Sequence, residues 1–267
     1  MTDDGRPPVP LPAHIPADRR LVLRALARGA VGAAVVAALS LALVVAVEIQ
    51  LARSGDRLPE LKLVLDRPGR GPRVVWLGDS TGVGEGASSA AGAVPSQVQD
   101  GLGLPDASLA VVAVSGARVA DVLAHQVPLV AGLHPDLVLI SVGANDTIHF
   151  TGRGDFRRAY EHLVRGLPPG VPVVLLGVPD MGAIARFAQP LRAMAGRRGR
   201  HLDAEVRRVA VATGAVYADI AGPTGPAFRR DPRRYFAADD FHPSDAGYGL
   251  WAGAVLKVLR REGLPRE

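Results

Sequence analysis

Four short segments of this chain hold residue types that can do chemistry. Gly78-Asp79-Ser80-Thr81-Gly82 carries a serine, and Ser115-Gly116-Ala117 a glycine amide. Gly143-Ala144-Asn145-Asp146 carries a side-chain amide, and Asp239-Asp240-Phe241-His242-Pro243 a histidine preceded by two carboxylates. A serine hydroxyl attacks only when a base takes its proton, and imidazole suits that task near neutral pH. The imidazole needs an acceptor on its other nitrogen to fix its tautomer, which a carboxylate supplies. A developing oxyanion needs donors already in place, and backbone or side-chain amides serve. The set as a whole is suited to acyl transfer. Each segment alone also has an ordinary role: Gly-Asp-Ser is a common strand-to-helix turn with an N-cap, Gly116 a turn glycine, Asn145 a helix cap, and His242 a surface histidine.

What joins the segments is where they fall along the chain. From Arg73 onward, short apolar runs alternate with amphipathic stretches. The runs at 74–78, 108–114, 136–143, 171–178 and 215–220 suit buried parallel strands. Val119, Val122, Leu123, Val127 and Val130 share one helical face, as do Phe156, Tyr160, Leu163, Val164 and Leu167. A last helix after Pro243 places Leu250, Ala254, Val255, Val258 and Leu259 on one stripe. The pattern predicts an α/β fold: three α/β/α layers around a doubly wound, parallel, five-stranded sheet of flavodoxin-like type. Ligands of such sheets bind beyond the carboxyl ends of the strands. Three of the four segments follow such ends, and the fourth precedes the last helix.

In this order the four blocks resemble those of the SGNH hydrolases, the GDSL family of esterases and lipases. The likeness runs from about Arg73 to Gly263 and is carried by Val75 to Ser80, Val114 to Ala117, Gly143 to Asp146 and Asp239 to Pro243. The resemblance implies that Ser80 is the nucleophile, His242 the base and Asp239 the residue that orients it. It implies an oxyanion hole made of the Ser80 and Gly116 amides and the Asn145 side chain. The name-giving leucine is Thr81 here, a departure that touches no catalytic group. Asp240 is the other carboxylate beside His242 and reads as solvated. The implied reaction is hydrolysis of a carboxylic ester, of a small molecule, lipid or glycan, through an acyl-enzyme and without cofactor or metal. The same triad also serves an O-acyltransferase acting on a cell-surface glycan, and the same fold serves a non-catalytic, membrane-anchored binding domain; the intact Ser, His, Asp and Asn positions weigh against the latter.

Other motifs are weaker. Gly78 to Gly82 also fits the G-x-S-x-G elbow of α/β-hydrolases, but no earlier strands precede it. Gly82-Val83-Gly84-Glu85-Gly86-Ala87 mimics a dinucleotide fingerprint, yet no acidic residue ends a second strand where a ribose would need one. Ser115 lacks the Gly-Asp elbow and reads as a turn residue. His125, His134, His149, His162 and His201 show no ligand spacing.

The 267 residues hold 31 basic and 26 acidic side chains, a net charge of +5, and no cysteine. The cysteine count excludes a disulfide framework, a thiolate metal site and a cysteine nucleophile. All but two of the basic residues are arginine, clustered at Arg197, Arg198 and Arg200, at Arg207 and Arg208, and at Arg229, Arg230, Arg233 and Arg234. No nucleic-acid motif accompanies them, so a mildly basic surface is the expectation. Arg186, Arg192, Arg197 and Arg198 read as a solvated helix face, with contact to an anionic substrate as the alternative.

Ahead of the hydrolase-like part, residues 1–28 form a proline-rich and then basic tail, with five prolines between positions 5 and 16. Gly29 to Val47 is uncharged for 19 residues, long enough at 1.5 Å per residue to cross a bilayer core of about 30 Å. Residues 48–72 read as a linker and 73–263 as the hydrolase domain. Arg19, Arg20, Arg24 and Arg28 crowd the near side of the apolar run, which favours a signal-anchor with its N-terminus inside. The domain is then expected on the extracytoplasmic face of the cell membrane, or secreted if the chain is cleaved near Ala46.

Overall fold

The computed structural model describes residues 17–54 and 65–265. The proline-rich stretch 5–16 and residues 55–64 of the expected linker lie outside the described residues. The chain divides into two units, one ending at Val47 and the other beginning at Glu48.

α1 (Ala17–Ser54) is a single helix of 38 residues, of which the part up to Val47 belongs to the first unit. Within it Leu26–Val47, 22 residues with a mean hydropathy of 2.7, is long and apolar enough to cross a membrane. Its large side chains, Leu39 and Val44 among them, stand exposed. An N-terminal signal sequence has the same character, so the helix alone does not separate an anchor from a leader.

The second unit is built on β1 (Arg73–Gly78), β2 (Ser108–Val111), β3 (Leu137–Ser141), β4 (Val173–Leu176) and β5 (Val216–Ala218). All neighbours pair in parallel, in the order β2-β1-β3-β4-β5. β3 and β4 are buried along their whole length and β1 from Val74 onward, which is why these runs read as continuously apolar. Strand order reverses between β1 and β3, and a crevice opens at their carboxyl ends. The regular strands stop short of the apolar runs. Beyond β2 the backbone still reaches across, Val112 N–H donating to Trp76 O and Val114 N–H to Gly78 O, but the segments that leave the sheet are those that carry the candidate chemistry.

The helices are α2 (Ser80–Val83), α3 (Val94–Gly101), α4 (Val119–Asp121), α5 (Val127–Leu133), α6 (Ala144–Ile148), α7 (Arg153–Arg165), α8 (Leu191–Thr213), α9 (Ala221–Arg230), α10 (Pro232–Tyr235) and α11 (Asp245–Glu262). They form two packed groups, α3 with α11 and α9, and α4 with α7 and α8, which covers both faces of the sheet and gives the three layers. A wide π-turn, Val122–Gln126, joins α4 to α5. Pro128 lacks the N–H that a continuous α-helix would send back to Ala124. The expected faces at 119–130 and 156–167 are turned to the core. On α11 the buried stripe is rotated: Tyr248, Trp251, Ala252, Val255, Leu256 and Leu259 are buried, while Leu250, Ala254 and Val258 flank it half-buried. The two aromatic rings bury the most area and set the helix's orientation.

Candidate active site

β1 ends in Gly78 at φ +150°, where a Cβ would come within 2.1 Å of the Ser141 carbonyl oxygen; no side chain fits between the two central strands here. Gln126, carried inward by the π-turn, caps this strand end. Its Oε1 accepts from Gly78 N–H (2.9 Å) and its Nε2 donates to Gly78 O (2.8 Å). Asp79 then caps the short α2, its Oδ1 accepting from Thr81 N–H (3.0 Å) and Thr81 Oγ1 (2.8 Å). Thr81 Oγ1 in turn accepts from Ser141 Oγ (3.2 Å), which itself accepts from Trp76 Nε1 at 2.9 Å. Burial pushes the Asp79 carboxyl up to about 6, against the two Thr81 bonds and the nearby His242, which lower it.

This framework delivers Ser80, whose Oγ lies 3.1 Å from His242 Nε2. His242 Nδ1 lies 2.6 Å from Asp239 Oδ2, and the other carboxylate oxygen accepts from the N–H of Phe241 (3.1 Å) and of His242 (3.0 Å). Burial alone would raise the Asp239 carboxyl, but the imidazole and the two N–H groups hold it below the usual carboxylate range. With Nδ1–H committed to Asp239, Nε2 of neutral His242 is an acceptor, and the Ser80 hydroxyl donates to it. Asp240 instead takes a left-handed conformation, φ +53°, and is exposed; its carbonyl accepts from Arg186 N–H (3.0 Å).

Asn145 opens α6 beyond β3, and its Nδ2 donates to Ala117 O (3.1 Å). That bond ties the third segment to the second, one residue from Gly116, which sits at φ +78° with open space where a Cβ would be. Asp146 is buried below and accepts from Val119 N–H (3.0 Å), which anchors the start of α4; burial raises its carboxyl. Ser80, His242, Asp239 and Asn145 are thus brought together, with Gly116 on the adjoining turn.

A cleft of about 560 Å³, counting its open mouth, begins at Ser80, Asn145 and His242. Its far walls are Met181, Ile184, Phe228, Phe236, Phe241 and Trp251. Phe241 packs edge-on against His242, ring centroids 4.9 Å apart, and against Phe187 at 5.9 Å. These walls come from the β4–α8 loop, α9, the segment before His242 and α11, and of them only Phe241 falls within one of the four blocks.

Sequence reasoning also passed over Glu85. Its Oε2 lies 3.1 Å from His242 Nε2, and its Oε1 accepts from Ser115 Oγ. The glycines around it have structural work: Gly84 is the left-handed cap of α2, and Gly86, at φ +91°, packs where a Cβ would lie 2.9 Å from His242 Cβ. The fingerprint-like spacing is therefore a tight return of the chain toward the histidine. The arginines correct the solvated-face reading in part. Arg192 donates to the carbonyls of Phe187 and Ala185, both at 2.7 Å, and Arg198 to those of Thr147 (3.0 Å) and Thr151. Of Arg186, Arg192, Arg197 and Arg198 only Arg197 stands exposed, and Arg186 Nε is buried without a hydrogen-bond partner among the described residues. Arg208 and Arg229 are paired with Glu205 (2.6 Å) and Asp180 (2.5 Å).

The model of the GDSL-like lipase/acylhydrolase family matches residues 76–250. A GDSL-like esterase of Mycobacterium tuberculosis is 33% identical over 189 residues, 69% of this chain and 60% of the relative. The chain thus spans less than two thirds of the length of that curated relative. Among solved structures, a lipase/acylhydrolase from Enterococcus faecalis superposes with a TM-score of 0.58 at 20% identity, covering 72% of this chain and 97% of that one. An acetylxylan esterase from Geobacillus stearothermophilus gives 0.55 at 23% identity, with 74% and 96% covered. At these identities the two structures speak to the fold.

Proposed function

The chain belongs to the GDSL-like lipase/acylhydrolase family, and from that premise we propose that it is a serine hydrolase cleaving carboxylic esters through an acyl-enzyme. The observation that carries this reading is the unbroken chain of contacts from Ser80 Oγ through both nitrogens of His242 to Asp239. In the proposed reaction Ser80 Oγ attacks the ester carbonyl carbon as His242 Nε2 takes its proton. Asp239 keeps the ring in the tautomer that allows this and stabilises the imidazolium that results. The tetrahedral oxyanion is met by the backbone N–H of Ser80 and Gly116 and by Asn145 Nδ2. Collapse breaks the C–O bond, and the imidazolium returns its proton to the departing alcohol oxygen. Water, deprotonated by the same nitrogen, then attacks the acyl-Ser80 carbonyl and releases the carboxylic acid and free serine.

The apolar cleft beside Ser80 suits the acyl chain, because water leaving its six large apolar walls favours hydrocarbon over a polar group. The N-terminal helix is proposed to hold the domain on the extracytoplasmic face of a membrane, or to export it if cleaved. The test is turnover of p-nitrophenyl esters by the full chain in detergent, with a fluorophosphonate probe reporting the nucleophile. The wild-type chain is expected to turn over and to label at Ser80, and Ser80→Ala to do neither. Unchanged labelling of Ser80→Ala would overturn the assignment.

A further inference from the structure

The apolar cleft accounts for one side of the scissile bond, and Glu85 is the marker of the other. We infer that Glu85 selects the alcohol half of the ester, favouring a neutral, hydroxyl-rich alcohol such as a glycerol or sugar unit. The inference rests on the hydrolase reading above.

The departing oxygen must come within about 2.6–3.2 Å of the nitrogen that protonates it. That nitrogen is His242 Nε2, and two oxygens already lie 3.1 Å from it: Ser80 Oγ and Glu85 Oε2. The first is the attacking atom, so the second stands at the place the alcohol oxygen must take. Glu85 cannot move far to admit it. Its N–H donates to Ser80 O (2.9 Å), its carbonyl accepts from the hydroxyl of buried Tyr248 (2.5 Å), and its Oε1 is held by Ser115 Oγ. The carboxylate therefore pivots about Ser115 and remains beside the alcohol it has made room for.

An ionised carboxylate only accepts hydrogen bonds. A hydroxyl on the carbon adjacent to the one that bears the ester oxygen satisfies it, an alkyl group leaves it unpaired, and an acidic group is repelled. Quaternary ammonium groups are recognised by aromatic faces. The rings of this site, Phe228, Phe236, Phe241 and Trp251, line the cleft, to which Glu85 does not belong. The side chain is about one third exposed, as a group at the mouth should be (36% for Glu85).

The experiment compares butanoyl esters of ethanol, glycerol, choline and glycolate on the full-length chain in detergent, with acid release followed by titration. The wild type is expected to favour the glycerol ester over the ethyl ester by about ten- to a hundredfold in kcat/KM, the range a hydrogen bond to a charged group supplies, chiefly through KM. The glycolate ester should be the poorest. Glu85→Ala should bring the glycerol-to-ethyl ratio close to one, and Glu85→Gln, which keeps an acceptor, should retain part of it while losing the discrimination against glycolate. Each ratio is internal to one protein, so partial misfolding of a variant does not alter it, and the wild-type ratio stands without any variant. A wild type that treats glycerol and ethyl esters alike, a preference that survives Glu85→Ala, or a choline ester that outpaces the glycerol ester would each overturn the inference alone. No turnover of any ester, with no label at Ser80, would take the hydrolase reading down with it.

Discussion

Asp79 offers a stability experiment whose sign and size follow from its surroundings. Asp79 is 2% exposed and its carboxyl is pushed up to about 6 in the folded chain, against an ordinary 3.8, with burial as the main cause. Between these two pH values the unfolded chain has released a proton that the folded chain still holds. Stability therefore falls as pH rises from 3.8 to 6 and is level above that range. The full gap is worth about 3 kcal/mol at 1.36 kcal/mol per pH unit, and about 2 kcal/mol of it lies above pH 4.5. Asp79→Asn keeps an oxygen for both Thr81 bonds and abolishes the titration. Whatever its amide gains or loses by packing is the same at every pH, so the pH dependence of the difference between the two proteins isolates the carboxyl. Thermal unfolding of the full chain at pH 4.5 and 8.0 should show the variant gaining on the wild type by about 4–8 °C at the higher pH, at 2–4 °C per kcal/mol for a domain of this size. Parallel curves across that range would refute the argument that burial dominates at Asp79.

Five further outcomes are expected. Asn145→Ala should lower kcat by about 10²–10³ with KM within a few-fold, since a ground-state carbonyl uses that donor weakly; near-normal kcat would leave Asn145 as the tie to Ala117 alone. Asp239→Asn should lower kcat by about 10⁴, because an amide N–H facing Nδ1 forces the proton onto Nε2, where it blocks acceptance from Ser80. The same variant should lose stability at pH 7 and progressively less as pH falls below the ordinary carboxylate range, since a carboxyl held below that range stabilises above it and ceases to as it protonates. Gln126→Leu should cost about 1–3 kcal/mol in chemical denaturation by stranding the buried N–H of Gly78, whose carbonyl keeps the Val114 N–H. Protease added outside intact cells should digest the hydrolase domain and spare the N-terminal tail if α1 is an uncleaved anchor; a protected domain would reverse the proposed topology.

Much of the sheet was legible because burial on both faces leaves a signature in one dimension. Val74 to Leu77 and Leu137 to Ile140 have no polar face to show, so each run of apolar residues reads as a central strand. The four candidate blocks were legible for a related reason. Each sits where a strand stops or the last helix starts, and such places demand glycine, small polar residues or a cap. The stripe on α11 was misplaced because Gly247, Tyr248 and Trp251 do not fit an aliphatic heptad, although two of them are the largest buried groups on that helix.

Glu85 and the cleft walls were hidden for another reason: they acquire meaning only when separate loops meet. Met181 and Ile184, Phe228, and Phe236 and Phe241 come from three stretches of chain, and no spacing relates them. Glu85 is five residues from Ser80, yet it matters because Gly84 and Gly86 turn the chain back onto His242, 157 positions later. In the sequence those glycines only mimic a dinucleotide fingerprint, since a run of glycines reports that the backbone bends without saying toward what. The same limit divides the reaction from its substrate. Proton transfer between Ser80 and His242 depends on residue types that announce themselves, and so it can be read from four blocks. In the proposed function, the ester that reaches them is chosen by an apolar wall on one side and one carboxylate on the other. Both are made of ordinary residues, placed by the fold.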